Sequence, residues 1–236
     1  MASPIRVAIA DDHQGIIDGY LYRFERLSQI EVVGTAMCGQ DLEVLLAKHP
    51  ADVLILDVGL PISLDKKNNP YPILHAIPNF LQQYRDLIIL VISMHTQRTL
   101  IDKVLKAGAK GYIVKDDQQS IKKLDHVIEL VANGGFYVSP QASKQWLTGW
   151  EEQAGPSLTQ RQLEVLSLCA AHPEFSSRQL AKKLNVEPST VRNLLSEAYR
   201  RLKVRNRINA VDKARELGLI TPQKEAYELS LRDASP

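Results

Sequence analysis

Cysteine is nearly absent: the 236 residues hold two, Cys38 and Cys169, far apart in the chain. That leaves no material for a disulfide framework or a cysteine-ligated zinc site. Long apolar runs are absent too, since none reaches the roughly 20 residues that a membrane-spanning helix needs. The opening MASPIRVAIADD arrives at two carboxylates before the apolar stretch of an export signal could be complete. A reducing cytosol and no membrane partner are therefore expected. A glycine-rich phosphate loop is also missing: where a nucleotide-binding fold would carry GxGxxG after its first strand, Asp11-Asp12-His13-Gln14 stands instead. This counts against a doubly wound nucleotide-binding domain with an interaction tail.

What is present is ordinary for globular protein, with 44% hydrophobic and 24% charged residues, and the length suits two domains with a core each. The net charge of +2 conceals an asymmetry. Residues 1–140 carry 14 basic against 16 acidic side chains, whereas residues 158–221 carry 12 against 6. A basic module beside a slightly acidic one is what a chain shows when only one domain meets a polyanion, although a solvated basic face would give the same count.

Hydrophobic periodicity divides the chain in the same way. Ile5 to Ala10, Glu31 to Ala36, Val53 to Leu56, Leu87 to Ile92 and Gly111 to Val114 read as strands. Helical spacing of apolar residues runs over Gln14 to Arg26, Gln40 to Lys48, Ile73 to Tyr84, Gln97 to Ala107 and Ser120 to Asn133. Five βα units with continuously apolar strands predict an α/β fold, a five-stranded doubly wound parallel sheet. Residues 1–135 form this domain, and 136–157, rich in Pro, Gly and Trp with a possible short helix near Gln141 to Leu147, read as a linker. Residues 158–221 are all-α in pattern: Thr159-x-x-Gln162 and Ser176-x-x-Gln179 match the reciprocal capping box, Pro188 suits a first helical turn, Asn206 can cap a fourth helix and Gly218 can end it. Residues 222–236 read as a polar tail.

Parallel sheets bind ligands at the carboxyl ends of their strands, where loops diverge and leave a crevice. Asp11 and Asp12 follow the first strand, Asp57 the third, Ser93 the fourth, and the fifth runs into Lys115. Uncompensated carboxylates so close would repel, raising a pKa or demanding a cation, and an all-oxygen set suits Mg2+. Taken singly, Asp57 could cap a turn, Ser93 could satisfy a backbone group and Lys115 could be a surface lysine. Their joint placement is the stronger observation.

Ile9-Ala10-Asp11-Asp12-His13, Leu54-Ile55-Leu56-Asp57-Val58-Gly59-Leu60-Pro61, Ser93 and Gly111-Tyr112-Ile113-Val114-Lys115-Asp116 resemble the signature of response-regulator receiver domains. The resemblance implies a flavodoxin-like receiver with Asp57 as phosphoacceptor. It also implies Mg2+ held by Asp11, Asp12, Asp57 and the Gly59 carbonyl, Lys115 and Ser93 on the phosphoryl group, and Tyr112 as the aromatic switch. His13 and His95 read as rim residues, not zinc ligands, for want of further ligands at suitable spacing. One departure from the family is the stretch Ile62 to Pro72, longer and more polar than the usual short turn. It reads as an exposed insertion, with a lid or kinase-docking element beside Asp57 as the functional alternative.

The segments LTQRQLEVLSL, SSRQLAKKLNV, PSTVRNLLSEAYRRLKV and NRINAVDKARELGLI resemble the LuxR-type helix-turn-helix domain, and the whole chain resembles the NarL/FixJ group of two-component response regulators. By that resemblance the helix from Pro188 to Leu202 enters the DNA major groove. Arg192, Asn193 and Ser196 are the candidates for base edges; Ser189, Thr190, Arg200, Arg201, Lys203, Arg205 and Arg207 are candidates for phosphate contacts. Leu194 stands where many members carry histidine. The implied partners are a sensor histidine kinase, a double-stranded DNA operator and a second copy of the chain when phosphorylated. Two alternatives stay open: a phosphorylation-independent DNA-binding regulator, and a stand-alone aspartyl phosphotransferase, which multiple turnover on an external substrate would reveal.

Overall fold

The computed structural model describes residues 3–147 and 158–222. Six strands form one parallel sheet in the order β2-β1-β3-β4-β5-β6: β1 (Ile5–Ala10), β2 (Ile30–Ala36), β3 (Val53–Leu56), β4 (Ile88–Ser93), β5 (Gly111–Val114) and β6 (Tyr137–Val138). Alternate side chains of the central strands serve two separate cores, as the two-residue strand period requires. Ala8, Leu54, Leu56, Val91 and Tyr112 pack under α2 (Gly39–Lys48), α3 (Ile73–Gln83) and α4 (Arg98–Lys106). Val7, Ile9, Ile55, Ile92 and Ile113 pack on the opposite face under α1 (Gln14–Phe24) and α6 (Leu124–Ala132). Both faces are therefore dry, which is why these strands read as unbroken apolar runs.

Three expectations are corrected. The sheet has six strands, not five, because Tyr137 and Val138 pair alongside Gly111 and Tyr112 of β5. Two residues cannot show a periodicity, so no pattern in the sequence marks this edge strand. The segment expected as linker thus begins with β6 and continues as α7 (Pro140–Leu147), whose Ala142 is fully buried against the receiver core. The rest of that expected linker, 148–157, and the tail from 223 lie outside the described residues. The single helix expected over Ser120 to Asn133 is two, α5 (Gln118–Lys122) and α6, broken at Lys123. Asp117 starts α5 by accepting the Ser120 N–H at 3.2 Å, and its other oxygen accepts the Gln141 N–H of α7 at 3.2 Å.

The C-terminal unit is α8 (Gln160–Ala171), α9 (Ser177–Leu184), α10 (Pro188–Leu202) and α11 (Arg207–Glu216) around a core that includes Val165, Leu180, Val191, Leu195, Leu202 and Ile220. Both capping boxes form, at Thr159/Gln162 and Ser176/Gln179, and Asn206 accepts the Asn209 N–H at 2.8 Å. Asn185, in the left-handed region at φ 52°, turns the chain between α9 and α10; among non-glycine residues asparagine tolerates that conformation best. No helix among the described residues is long and apolar enough to cross a membrane.

Candidate functional site

The strand order reverses direction between β1 and β3, so the crevice opens between the carboxyl ends of these two neighbours. Asp11 continues β1 and Asp57 continues β3, and the Asp57 N–H donates to the Ala10 carbonyl at 2.8 Å, which locks the two ends together. Lys115, following β5, reaches across β4. Its Nζ lies 2.7 Å from Asp11 Oδ2 and 3.0 Å from Asp57 Oδ2. All three side chains are nearly out of solvent, at 11% exposure for Lys115, 3% for Asp11 and 7% for Asp57.

Charge accounting describes what this pocket can accept. Burial and then the neighbouring Asp57 charge push the Asp11 carboxyl above its ordinary value, against the pull of Lys115. Burial opposes the Lys115 ammonium, but attraction to Asp57 and Asp11 outweighs it and holds the group above its ordinary value. With Asp12 also at the edge, three carboxylates face one ammonium. The remaining negative charge and the all-oxygen character suit a hard divalent cation. Among the described residues, the ligand atoms that lie within 4.8 Å of one another belong to Asp11, Asp12 and His13. Asp57, expected in that group, turns its carboxylate to Lys115. His13, set aside as a rim residue, joins it, its Nδ1 2.8 Å from Asp12 Oδ1. The backbone at Gly59 passes close to Asp57: a Cβ there would stand 3.1 Å from Asp57 Oδ2.

Ser93 is the last residue of β4 and is 1% exposed; its Oγ accepts the His95 N–H at 3.3 Å. Tyr112 is fully buried, and its hydroxyl donates to the His95 carbonyl at 2.7 Å. Burial raises the Tyr112 phenol well above its ordinary value, so it stays a donor. Ser93 and Tyr112 thus hold the same short segment, from Ser93 to the start of α4, from both of its backbone faces. His95 and Ser139 carry backbone contacts that sequence reasoning did not foresee; Ser139 Oγ accepts the Val114 N–H at 3.2 Å, next to Lys115.

In the C-terminal unit, Val191, Leu195, Ala198 and Leu202 bury one face of α10. Ser189, Arg192, Asn193 and Ser196 lie exposed on the other, spaced three and four apart. Thr190, Lys203 and Arg205 are exposed as well. Three expected phosphate contacts are otherwise engaged. Arg200 pairs with Glu197 at 2.7 Å, Arg207 donates to the Phe175 carbonyl and so ties α11 to the α8–α9 loop, and Arg201 is half-buried. Leu194 packs at the edge of the helical core.

A model of the response regulator receiver domain matches residues 7–126, and one of the bacterial regulatory proteins of the luxR family matches residues 156–214. The chain is a two-component response regulator with a LuxR-type DNA-binding domain. Among its relatives is the transcriptional regulatory protein DesR of Bacillus subtilis, 30% identical over 216 residues that cover 91% of this chain and 98% of DesR. The transcriptional regulatory protein DegU of Brevibacillus brevis is 28% identical, covering 88% and 91%. Among solved structures, RcsB of Salmonella typhimurium is 24% identical with a TM-score of 0.55, over 89% of this chain and 98% of that one, and shares the fold. The regulator is thus a DNA-binding transcription regulator.

Proposed function

We propose that the regulator takes a phosphoryl group on Asp57 from a sensor histidine kinase and that this controls binding of its C-terminal domain, as a dimer, to double-stranded DNA. The observation that carries the reading is Lys115 Nζ bridging Asp11 and Asp57 at 2.7 and 3.0 Å in a crevice where acids outnumber cations. An Asp57 oxygen attacks the phosphorus in line, the P–N bond to the kinase imidazole breaks as the P–O bond forms, and the leaving nitrogen takes up a proton. Lys115 moves its attraction from the bare carboxylate to the phosphoryl oxygens, and the Ser93 hydroxyl donates to one of them. Asp11, Asp12 and Asp57 with the Gly59 carbonyl would hold Mg2+, which would supply the charge neutralisation that a dianion needs in an acidic pocket. The hydroxyl–carbonyl bond from Tyr112 to His95 makes the Ser93–α4 segment the element that registers the change.

On the DNA side, Arg192, Asn193 and Ser196 face base edges, and Ser189, Thr190, Lys203 and Arg205 meet phosphates without hindrance from partners; Arg200, Arg201 and Arg207 do so only by giving up or sharing present contacts. Acetyl phosphate with Mg2+ should add one phosphoryl group by intact mass to the wild type and none to Asp57→Asn. Phosphorylation of that variant, or of neither protein, overturns the assignment. Loss of the phosphoryl group to water alone, with no transfer from Asp57 to an added acceptor, separates a regulator from an aspartyl phosphotransferase working on an external substrate.

A further inference from the structure

The stretch Ile62 to Pro72 sets this receiver apart, and the structure gives it a rigid form. Pro61 and Pro70 bridge in antiparallel fashion, the Ile62 N–H donates to the Asn69 carbonyl at 2.8 Å, and the Tyr71 N–H donates to the Leu60 carbonyl at 2.8 Å. The base is fastened to the start of α2: the Gly39 N–H donates to the Pro61 carbonyl at 2.8 Å and the Gln40 N–H to the Ile62 carbonyl at 3.1 Å. The Tyr71 ring packs against Gly39, where a Cβ would meet it at 2.0 Å, and its hydroxyl donates to Glu43 at 2.7 Å. Ile62, Pro70 and Tyr71 are buried, whereas Leu64 to Asn68 stand in solvent. A sealed base and an exposed tip describe an arm. At the tip, Lys66 Nζ meets Glu174 Oε1 at 2.7 Å, in the loop joining α8 to α9 of the DNA-binding domain.

The domains also meet elsewhere. Ala171, at the end of α8, is fully buried with the receiver core. Gly218, at φ +61°, lies against the first turn of α4, where a Cβ would come within 3.1 Å of the Leu100 nitrogen and 3.3 Å of Thr99 Cβ. Between and beside these contacts lie open clefts of about 570 and 490 Å³. Clefts flank these contacts, so an ion pair at the rim adds to what keeps the interface closed. Ser189, Arg192, Asn193 and Ser196 of α10 stay exposed, so this contact leaves that face in solvent and fixes where it points.

We propose that the arm holds the DNA-binding domain at a set orientation through Lys66 and Glu174, and that these two residues thereby determine which spacing of paired half-sites two copies can span. The spacing half rests on the DNA-binding reading above; the docking half does not. Because the native cysteines are buried, spin labels can be placed selectively at Glu25→Cys and Asn209→Cys, both exposed, in the full chain. The distance distribution should be narrow in the otherwise native chain, broad with Lys66→Glu or Glu174→Lys, and narrow again with both. A broad distribution at the outset, unchanged single variants, or a double variant that does not recover overturns the docking. On duplexes whose half-sites are separated by spacers of increasing length, the single variants should lose about twofold to fivefold of the preference for the best spacing, the size of an exposed ion pair, relative to their own affinity for one half-site. An unaltered spacing preference beside broadened distances overturns the specificity role. If the native chain binds no DNA at all, the function proposed above fails while the distances still judge the arm.

Discussion

Replacing Lys115 with methionine removes the ammonium that bridges Asp11 and Asp57 and should make the receiver's stability depend steeply on pH. Both carboxylates are almost wholly buried, and stripping one partner from a buried ionic group costs about 3–5 kcal/mol when the remaining charge cannot escape. Here it can escape by binding a proton. Holding an ordinary aspartic acid protonated at pH 7 costs about 4 kcal/mol, and at pH 5 about 1.5 kcal/mol, which caps the loss at each pH. The sign follows from Asp11, whose folded value is already raised. Its contribution is most favourable below the unfolded value and is lost as pH rises through the folded one. Without Lys115 that folded value rises further, so the loss widens from pH 5 to pH 7. Urea unfolding of the full chain in chelator, at both pH values, should show the variant weaker by up to about 4 kcal/mol at pH 7 and by about 1.5 kcal/mol or less at pH 5. Millimolar Mg2+ should recover part of the deficit by replacing the missing charge. A loss under about 1 kcal/mol at pH 7, or equal losses at both pH values, would refute the view that Lys115 compensates buried acids.

Arg192→Ala and Asn193→Ala should each cost about 1–3 kcal/mol at particular base pairs and relax specificity there, whereas Arg205→Ala should weaken every duplex alike and flatten the salt dependence; equal losses on operator and random DNA for all three would remove α10 from base recognition. Beryllofluoride, which mimics the phosphoryl group, should shift the chain toward dimers in sedimentation and tighten operator binding by roughly 5- to 150-fold; no change in either favours the phosphorylation-independent reading. Gly39→Ala drives a methyl into the Tyr71 ring and should destabilise the receiver by about 1–3 kcal/mol in thermal unfolding, with Tyr71→Ala in the same chain relieving most of the added cost.

The sequence by itself determined what depends on neighbours along the chain. Strand ends bearing Asp11, Asp57, Ser93 and Lys115 are local facts, and once five βα units form a parallel sheet, right-handed connections bring those ends to one edge. Capping boxes at Thr159 and Ser176, Pro188 at a first turn, Asn206 as a cap and Gly218 at positive φ are equally local, and the structure holds each of them. What only the tertiary structure decided depends on partners far away in sequence. Tyr137 and Val138 become a strand because β5 offers an unpaired edge, and no two-residue pattern announces that. Three arginines that looked alike as basic residues differ once Glu197 and the Phe175 carbonyl claim two of them and packing half-buries the third. The polar stretch after Pro61 read as an exposed insertion because its composition is that of a loop. Its stiffness comes from hydrogen bonds to α2 and a tyrosine ring on Gly39, and its reach from an ion pair between Lys66 and Glu174 that spans two domains. Periodicity reports what a segment does to itself, whereas side-chain partners are chosen by the fold.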